Sequence, residues 1–330
     1  ALQLAAALAA GGVTAAIGVR TGSQETVQNS FPLIFILLFL SSAFFPTELM
    51  RGWYQQMAEA RARVNAQAGT LRMMSHAIIT PGAPGWLEHL DASLALRPDS
   101  VKGYTVGDNT HKETARYPWR MDSEDAYRGY ERCAAAGIRN VCVHKGLWGR
   151  GLDQRFPRLA PHARVDDVAK AAKDWPQIRF VIYHSAYRFA GGGTAEQGLA
   201  QFERTGRVEW TSDLAEIPER HGVTNVYGDL GQIFAQTTVV QPRLAAALMG
   251  ILVKGLGADH VVWGTDAVWT GSPQWQIEGL RRLEIPEDMR RVHGYAPFAG
   301  IRALKEAVAA RYRDVYGVEL DPEREVALLT

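Results

Sequence analysis

The 330-residue sequence predicts an α/β protein, a parallel sheet assembled from βα units and preceded by a hydrophobic helical hairpin. Three observations carry that expectation. Between about residues 70 and 291, short apolar runs alternate with amphipathic segments, the pattern of strands and helices in turn. Ahead of them, two long runs contain no charged residue at all. Three of the apolar runs, moreover, end on a polar residue of a kind that does chemistry: VCVH at His144, VIYH at His184 and VVWGTD at Asp266.

Taken in order, the elements begin with the uncharged runs Ala1–Val19 and Thr26–Thr47, separated by Arg20 and Glu25 and closed by Glu48. Each approaches the roughly 20 residues that span a hydrocarbon core. The first is rich in Ala and Gly, which suits close helix contact, and the second contains FPLIFILLFLSSAFFP. A membrane hairpin over residues 1–58, with Trp53 and Tyr54 at an interfacial belt, is one reading; a pair of buried helices is the other. A polar, basic junction follows over 59–69, in EARARVNAQAGTLR. The strand candidates are then RMMSHAII, SVKGYTV, RNVCVH, RFVIYH, TNVYGDL and HVVWGTD. Helices are expected to end near Ala136–Gly137, to run through VDDVAKAAKDW and EWTSDLAEIPERH, and to cover Pro242–Gly255. From Gly300 the chain reads IRALKEAVAARYRDVYG, with Ile301, Leu304, Val308 and Tyr312 at helical spacing, so 292–330 forms a helix and a strand.

The totals exclude some classes of function. A formal net charge of +1 produces no field suited to nucleic acid. The two cysteines, Cys133 and Cys142, have no zinc-knuckle spacing and read as buried thiols. No Lys or Arg precedes Arg20, so the basic start of a secretory signal is not expected, and there are no repeats. A cytoplasmic location is expected for the sheet, and a membrane one if the first segment inserts.

Polar residues at the C-terminal ends of parallel strands converge on one mouth. Two imidazoles and a carboxylate, His144, His184 and Asp266, are the ligand types of a zinc-like ion in a hydrolytic site. Such an ion lowers the pKa of bound water, and a neighbouring base takes the proton. By the period of two, Cys142 shares the face of His144. Lys145 has two readings, a contact for substrate anions or a solvated loop charge. Lys102 is read as packing its stem in the sheet with its amine at the mouth, rather than as a carboxylated metal bridge. Asp229 joins the site or merely starts the next helix, and Gly191–Gly193 form a mouth loop without a phosphate-cradling pattern.

The stretches SHAIITPGAPGWLEHLD, PDSVKGYTVGD, YPWRMD, GIRNVCVHKGL, IRFVIYHSAY, NVYGDLG and GTDAVWTGSPQWQIEGLRRLEIPEDM give 70–291 its likeness. It resembles the amidohydrolase-related metal-dependent hydrolases, in the branch that includes aminocarboxymuconate-semialdehyde decarboxylase. The resemblance implies a (β/α)8 TIM-like barrel of which strands three to eight are present. It also implies a divalent metal, zinc or manganese, held by His144 and Asp266, with His184 as ligand or proton carrier and Asp266 handling protons. Family members carry a His-x-His pair on strand one, whereas none of the nine histidines here has another two residues away. RMMSHAII matches strand three, so strands one and two are absent.

The flanks have likenesses of their own. AAIGVRTGSQETVQNSFPLIFILLFLSSAFFPTELMRGWYQQMAE resembles the last membrane portion of ATP-binding-cassette drug-exporter permeases. YAPFAGIRALKEAVAARYRDVYGVELDPEREVALLT, within 293–330, resembles the start of fold type I aminotransferases, with no Schiff-base lysine and hence no pyridoxal phosphate expected. The chain therefore reads as a composite. Its expected activity is metal-dependent hydrolysis of a carbonyl, ester or amide bond, or nonoxidative decarboxylation, of a small molecule, impaired by the missing ligand pair. The alternatives are a transport fragment carrying a passenger and an inactive chain.

Overall fold

A computed structural model describes residues 47–106, 116–188, 194–267, 270, 272–289, 309–314 and 317–322. Residues 1–46, and with them most of the hairpin expected over 1–58, lie outside the described residues, as does most of the aminotransferase-like tail. Among the described residues no helix is long and apolar enough to cross a membrane. The chain divides into two compact units, Ala1–His76 with Ala92–Asp99, and Ala77–Asp91 with Ser100–Thr330.

The first unit is built on α1 (Thr47–Ala68), which runs without a break through the expected junction. Gly69, at φ +62°, ends it. The Asn65 amide then ties down the return, accepting from Arg72 N at 2.7 Å and Met73 N at 2.8 Å and donating to Met73 O at 2.9 Å. Asp99 accepts from the Arg61 guanidinium at 2.5 Å and from Ser75 N at 2.8 Å, so this unit is held by polar contacts at a helix face.

The second unit contains the sheet except for His76, and the strands stand in chain order: β1 (His76–Ile79), β2 (Ser100–Tyr104), β3 (Asn140–His144), β4 (Arg179–Tyr183), β5 (Val226–Asp229) and β6 (Val261–Val262). All six strand candidates are present, and β2 to β6 pair parallel. This is the architecture of a partial TIM-like barrel, with β1 and β6 at the ends of the strand order among the described residues. Among the described residues the helices that follow α1 are α2 (Trp86–Leu94), whose last turn from Ala92 belongs to the first unit, then α3 (Glu124–Ala135), α4 (Arg150–Arg155), α5 (Ala160–Ala163), α6 (Val168–Asp174) and α7 (Thr194–Thr205). They continue with α8 (Thr211–Ala215), α9 (Ile217–His221), α10 (Gly231–Thr237), α11 (Pro242–Leu256) and α12 (Gln274–Arg281). The expected helix over EWTSDLAEIPERH is two, because Pro218 has no N–H to continue the ladder and opens α9 instead.

Alternation along the strands sorts their side chains onto two faces. Val101, Val141, Val143, Phe180, Ile182 and Val226 are all 0% exposed and lie under helices. Tyr130 of α3 meets Phe180 edge-on at 5.3 Å, and Leu252 and Leu256 of α11 close on Gly228. The other face carries two rows in register, Lys102–Cys142–Val181–Tyr227 and, nearer the C-terminal ends, Tyr104–His144–Tyr183. Most of these residues are only half-buried, so this polar and aromatic face is where a small molecule can approach.

Candidate active site

His144 is the last residue of β3 and His184 the first after β4, so strand pairing brings the two imidazoles together. Their rings lie 4.8 Å apart, edge to face, and His144 also stacks on Tyr104 at 5.2 Å. His184, Ser185 and Ala186 all adopt left-handed backbone, at φ +58°, +44° and +54°. Such a run in non-glycine residues stores strain and persists only where its surroundings enforce it. Here they do so from two sides. Ser185 Oγ donates to Asp229 O at 2.8 Å, above a Gly228 whose missing Cβ leaves that hydroxyl room. Opposite, Leu147 N and Trp148 N donate to Tyr187 O and Arg188 O, and a Cβ at Gly146 would sit 2.4 Å from the Ala186 carbonyl carbon.

His184 is 3% exposed, and its ring nitrogens have distinct roles. Nδ1 accepts the backbone N–H of Gln232 at 3.1 Å, which leaves the proton of the neutral ring on Nε2. Burial pushes its pKa far below the usual histidine value, and the charges of His144 and Lys102 push the same way. The ring is therefore a neutral hydrogen-bond donor.

Two carboxylates join the imidazoles. Asp229, at the end of β5, accepts the His184 N–H at 3.4 Å, and burial raises its pKa to about 6. Asp266, beyond β6 and at φ +50°, is half-buried; burial raises its pKa while the positive charge of Lys102 opposes the shift. The Lys102 ammonium lies 4.4 Å from the centre of the Tyr183 ring and 5.1 Å from that of Tyr104, at the mouth as its alternation implies.

Lys145 lies elsewhere. Its side chain is fully buried, with Nζ donating to Asp167 Oδ2 at 2.8 Å and to His162 O at 2.9 Å, so no part of it is open to a substrate anion. Alternation explains the difference, since the neighbour of a mouth-facing His144 points through the opposite face of the sheet. Cys142 shares the face of His144 as expected and is buried. A cleft of about 400 Å³ opens near the ends of β1 and β2, lined by Gly82, Arg116, Trp119, Arg120, Ser123 and His162 among others. None of the predicted site residues lines it. Tyr104 and Tyr183 are not among the residues predicted from sequence, although the period of two between Lys102 and Tyr104 and the strand-end position of Tyr183 were signals for them.

The residues do not fit a divalent ion in this geometry. Among the described residues no three His, Cys, Asp or Glu side chains are grouped to hold a metal. The first nitrogen of His184 is taken by Gln232 and the second carries the proton, so neither presents a lone pair. A lysine ammonium, moreover, shares the same mouth and repels a second cation.

Known proteins resemble the chain in separate parts. Fifty-seven residues are 46% identical to the transaminase BacF of Bacillus subtilis, covering 17% of this chain and 14% of that protein. Fifty-nine residues are 47% identical to the L-glutamine–4-(methylsulfanyl)-2-oxobutanoate aminotransferase of the same organism, covering 18% of this chain and 14% of that one. The chain thus spans about a seventh of the curated relatives it matches. A 2,6-dihydroxybenzoate decarboxylase from Rhizobium superposes with a TM-score of 0.42 and 13% identity, over 75% of this chain and 77% of that one. The amidohydrolase family model matches residues 83–310, more than two thirds of the sequence and every strand from β2 to β6, and the chain belongs to that family.

Proposed function

We propose that the chain acts on a small molecule by hydrolysis of a carbonyl, ester or amide bond or by nonoxidative decarboxylation, with the chemistry at the mouth where β3 to β6 end. The observation that carries this reading is the pairing of His144 and His184, rings 4.8 Å apart, beside the carboxylates of Asp229 and Asp266. The neutral His184 donates its Nε2–H to a substrate oxygen. Asp266, half-exposed, takes a proton from an attacking water in hydrolysis, or delivers one to carbon in decarboxylation. His144, stacked on Tyr104, orients the substrate beside them.

Zinc or manganese on His144, His184 and Asp266, as the family resemblance implies, requires the His184 ring to give up the Gln232 N–H and a third ligand to approach; no step here is routed through a metal. A panel of activated esters, lactones, amides and carboxylic acids, scored for product or released CO2, tests the reading. Removing an acid–base group is expected to reduce turnover by about 10²–10⁴-fold in His184→Ala and Asp266→Asn. Turnover unchanged in both variants would refute the assignment.

A further inference from the structure

Among the described residues the cluster contains one lysine ammonium, and its environment is unusual. Lys102 is half-buried on the polar face of β2, with its ammonium 4.4 Å from the centre of the Tyr183 ring and 5.1 Å from that of Tyr104. Ring faces attract a cation but do not satisfy its three N–H donors as oxygen acceptors do. Among the described residues that ammonium has no hydrogen-bond or ion-pair partner. The other lysine of this sheet region, Lys145, is fully paired inside the protein. The charge of Lys102 reaches His184, Asp229 and Asp266, the groups otherwise available to a divalent ion.

We propose that the ammonium of Lys102 is itself the cation of this mouth, and that its unmatched N–H donors receive a carbonyl or carboxylate oxygen of the small-molecule substrate in place of a bound metal. The proposal rests on the site assigned under the proposed function. Placement by the two rings and by the register of β2 against β3 makes the position of the charge a property of the fold, and Lys102, Tyr104 and Tyr183 are each only half-buried.

Two measurements on the full chain test it. The protein is equilibrated with zinc or manganese ions, desalted, and analysed for metal; less than about a tenth of an equivalent is expected, because a site without three ligands binds only loosely. Separately, its lysines are reductively methylated with 13C, the Lys102 signal is identified by its loss in Lys102→Arg (or in Lys102→Met, should arginine not fold), and acetate is titrated as the oxygen probe. A saturable shift of that signal is expected. One equivalent of metal that is lost in His144→Ala, or a Lys102 signal that acetate leaves unmoved, overturns the proposal. An active protein holding such a metal keeps the proposed function and rejects Lys102 as the cation. A metal-free protein that binds acetate at Lys102 but turns over nothing in the panel does the reverse.

Discussion

His144 and Lys145 are chain neighbours with opposite environments, one half-exposed at the mouth and the other sealed beside Asp167. Breaking a buried pair by removing one partner strands the other charge, so Lys145→Met is expected to destabilise the fold by about 3–5 kcal/mol in urea unfolding. A loss under about 1 kcal/mol would mean that the pair is solvated in solution. Asp229 leads to a prediction in pH. Its pKa is about 6 in the folded protein, above the value of about 4 expected when unfolded. Below that window both states are protonated and the group contributes nothing. As pH rises through the window the unfolded state ionises first, so the folded state loses up to about 3 kcal/mol by pH 7. Asp229→Asn, which keeps an acceptor for the His184 N–H, is therefore expected to gain stability relative to the parent between pH 4 and 7. A difference that stays flat with pH in denaturant titrations would contradict the buried carboxyl.

At the scale of elements, the sheet has one packed face and one open face, and adjacent residues of β4 compare them directly. Ile182 is 0% exposed under helices whereas Val181 is half-buried on the other side. Ile182→Ala is expected to cost about 2–5 kcal/mol, as deep large-to-small changes do. Val181→Ala, which removes little packed surface, should cost about 1 kcal/mol or less. Equal costs from chemical denaturation would show that both faces are covered. The six strands were legible because valine, isoleucine and aromatic runs bounded by turns have few other solutions. The short α4 and α10 were not. Arg150–Arg155 lacks a strong apolar period, and α10 begins on a glycine, so tertiary packing decides both.

Across the whole molecule, the two thiols report on opening. Cys133, on α3, is fully buried and its pKa is pushed up to about 12; Cys142, on β3, is nearly so and is pushed up to about 11. Both changes come from desolvation, which disfavours the thiolate needed for reaction. A thiol reagent at mildly alkaline pH should therefore leave the native chain unlabelled and modify Cys133 only as fast as the molecule unfolds. Labelling of Cys133 within the mixing time would mean that α3 is not docked on the sheet. Its packing is also visible in Tyr130, whose ring is fully buried between Trp175 and Phe180.

The sequence by itself determined the strand-and-helix order, the six strands, and the placement of His144, His184 and Lys102 at strand ends or on one face. These follow from local backbone periodicity, which each segment carries within a few residues. Only the tertiary structure decided which groups meet. The bond between His184 and Asp229 spans 45 residues of chain, that between His184 and Gln232 spans 48, and the burial of Lys145 depends on Asp167 arriving from α6's approach. Alternation says that Lys145 and His144 point opposite ways; which way is open to solvent depends on where the helices pack, and that is a property of the assembled unit rather than of any segment.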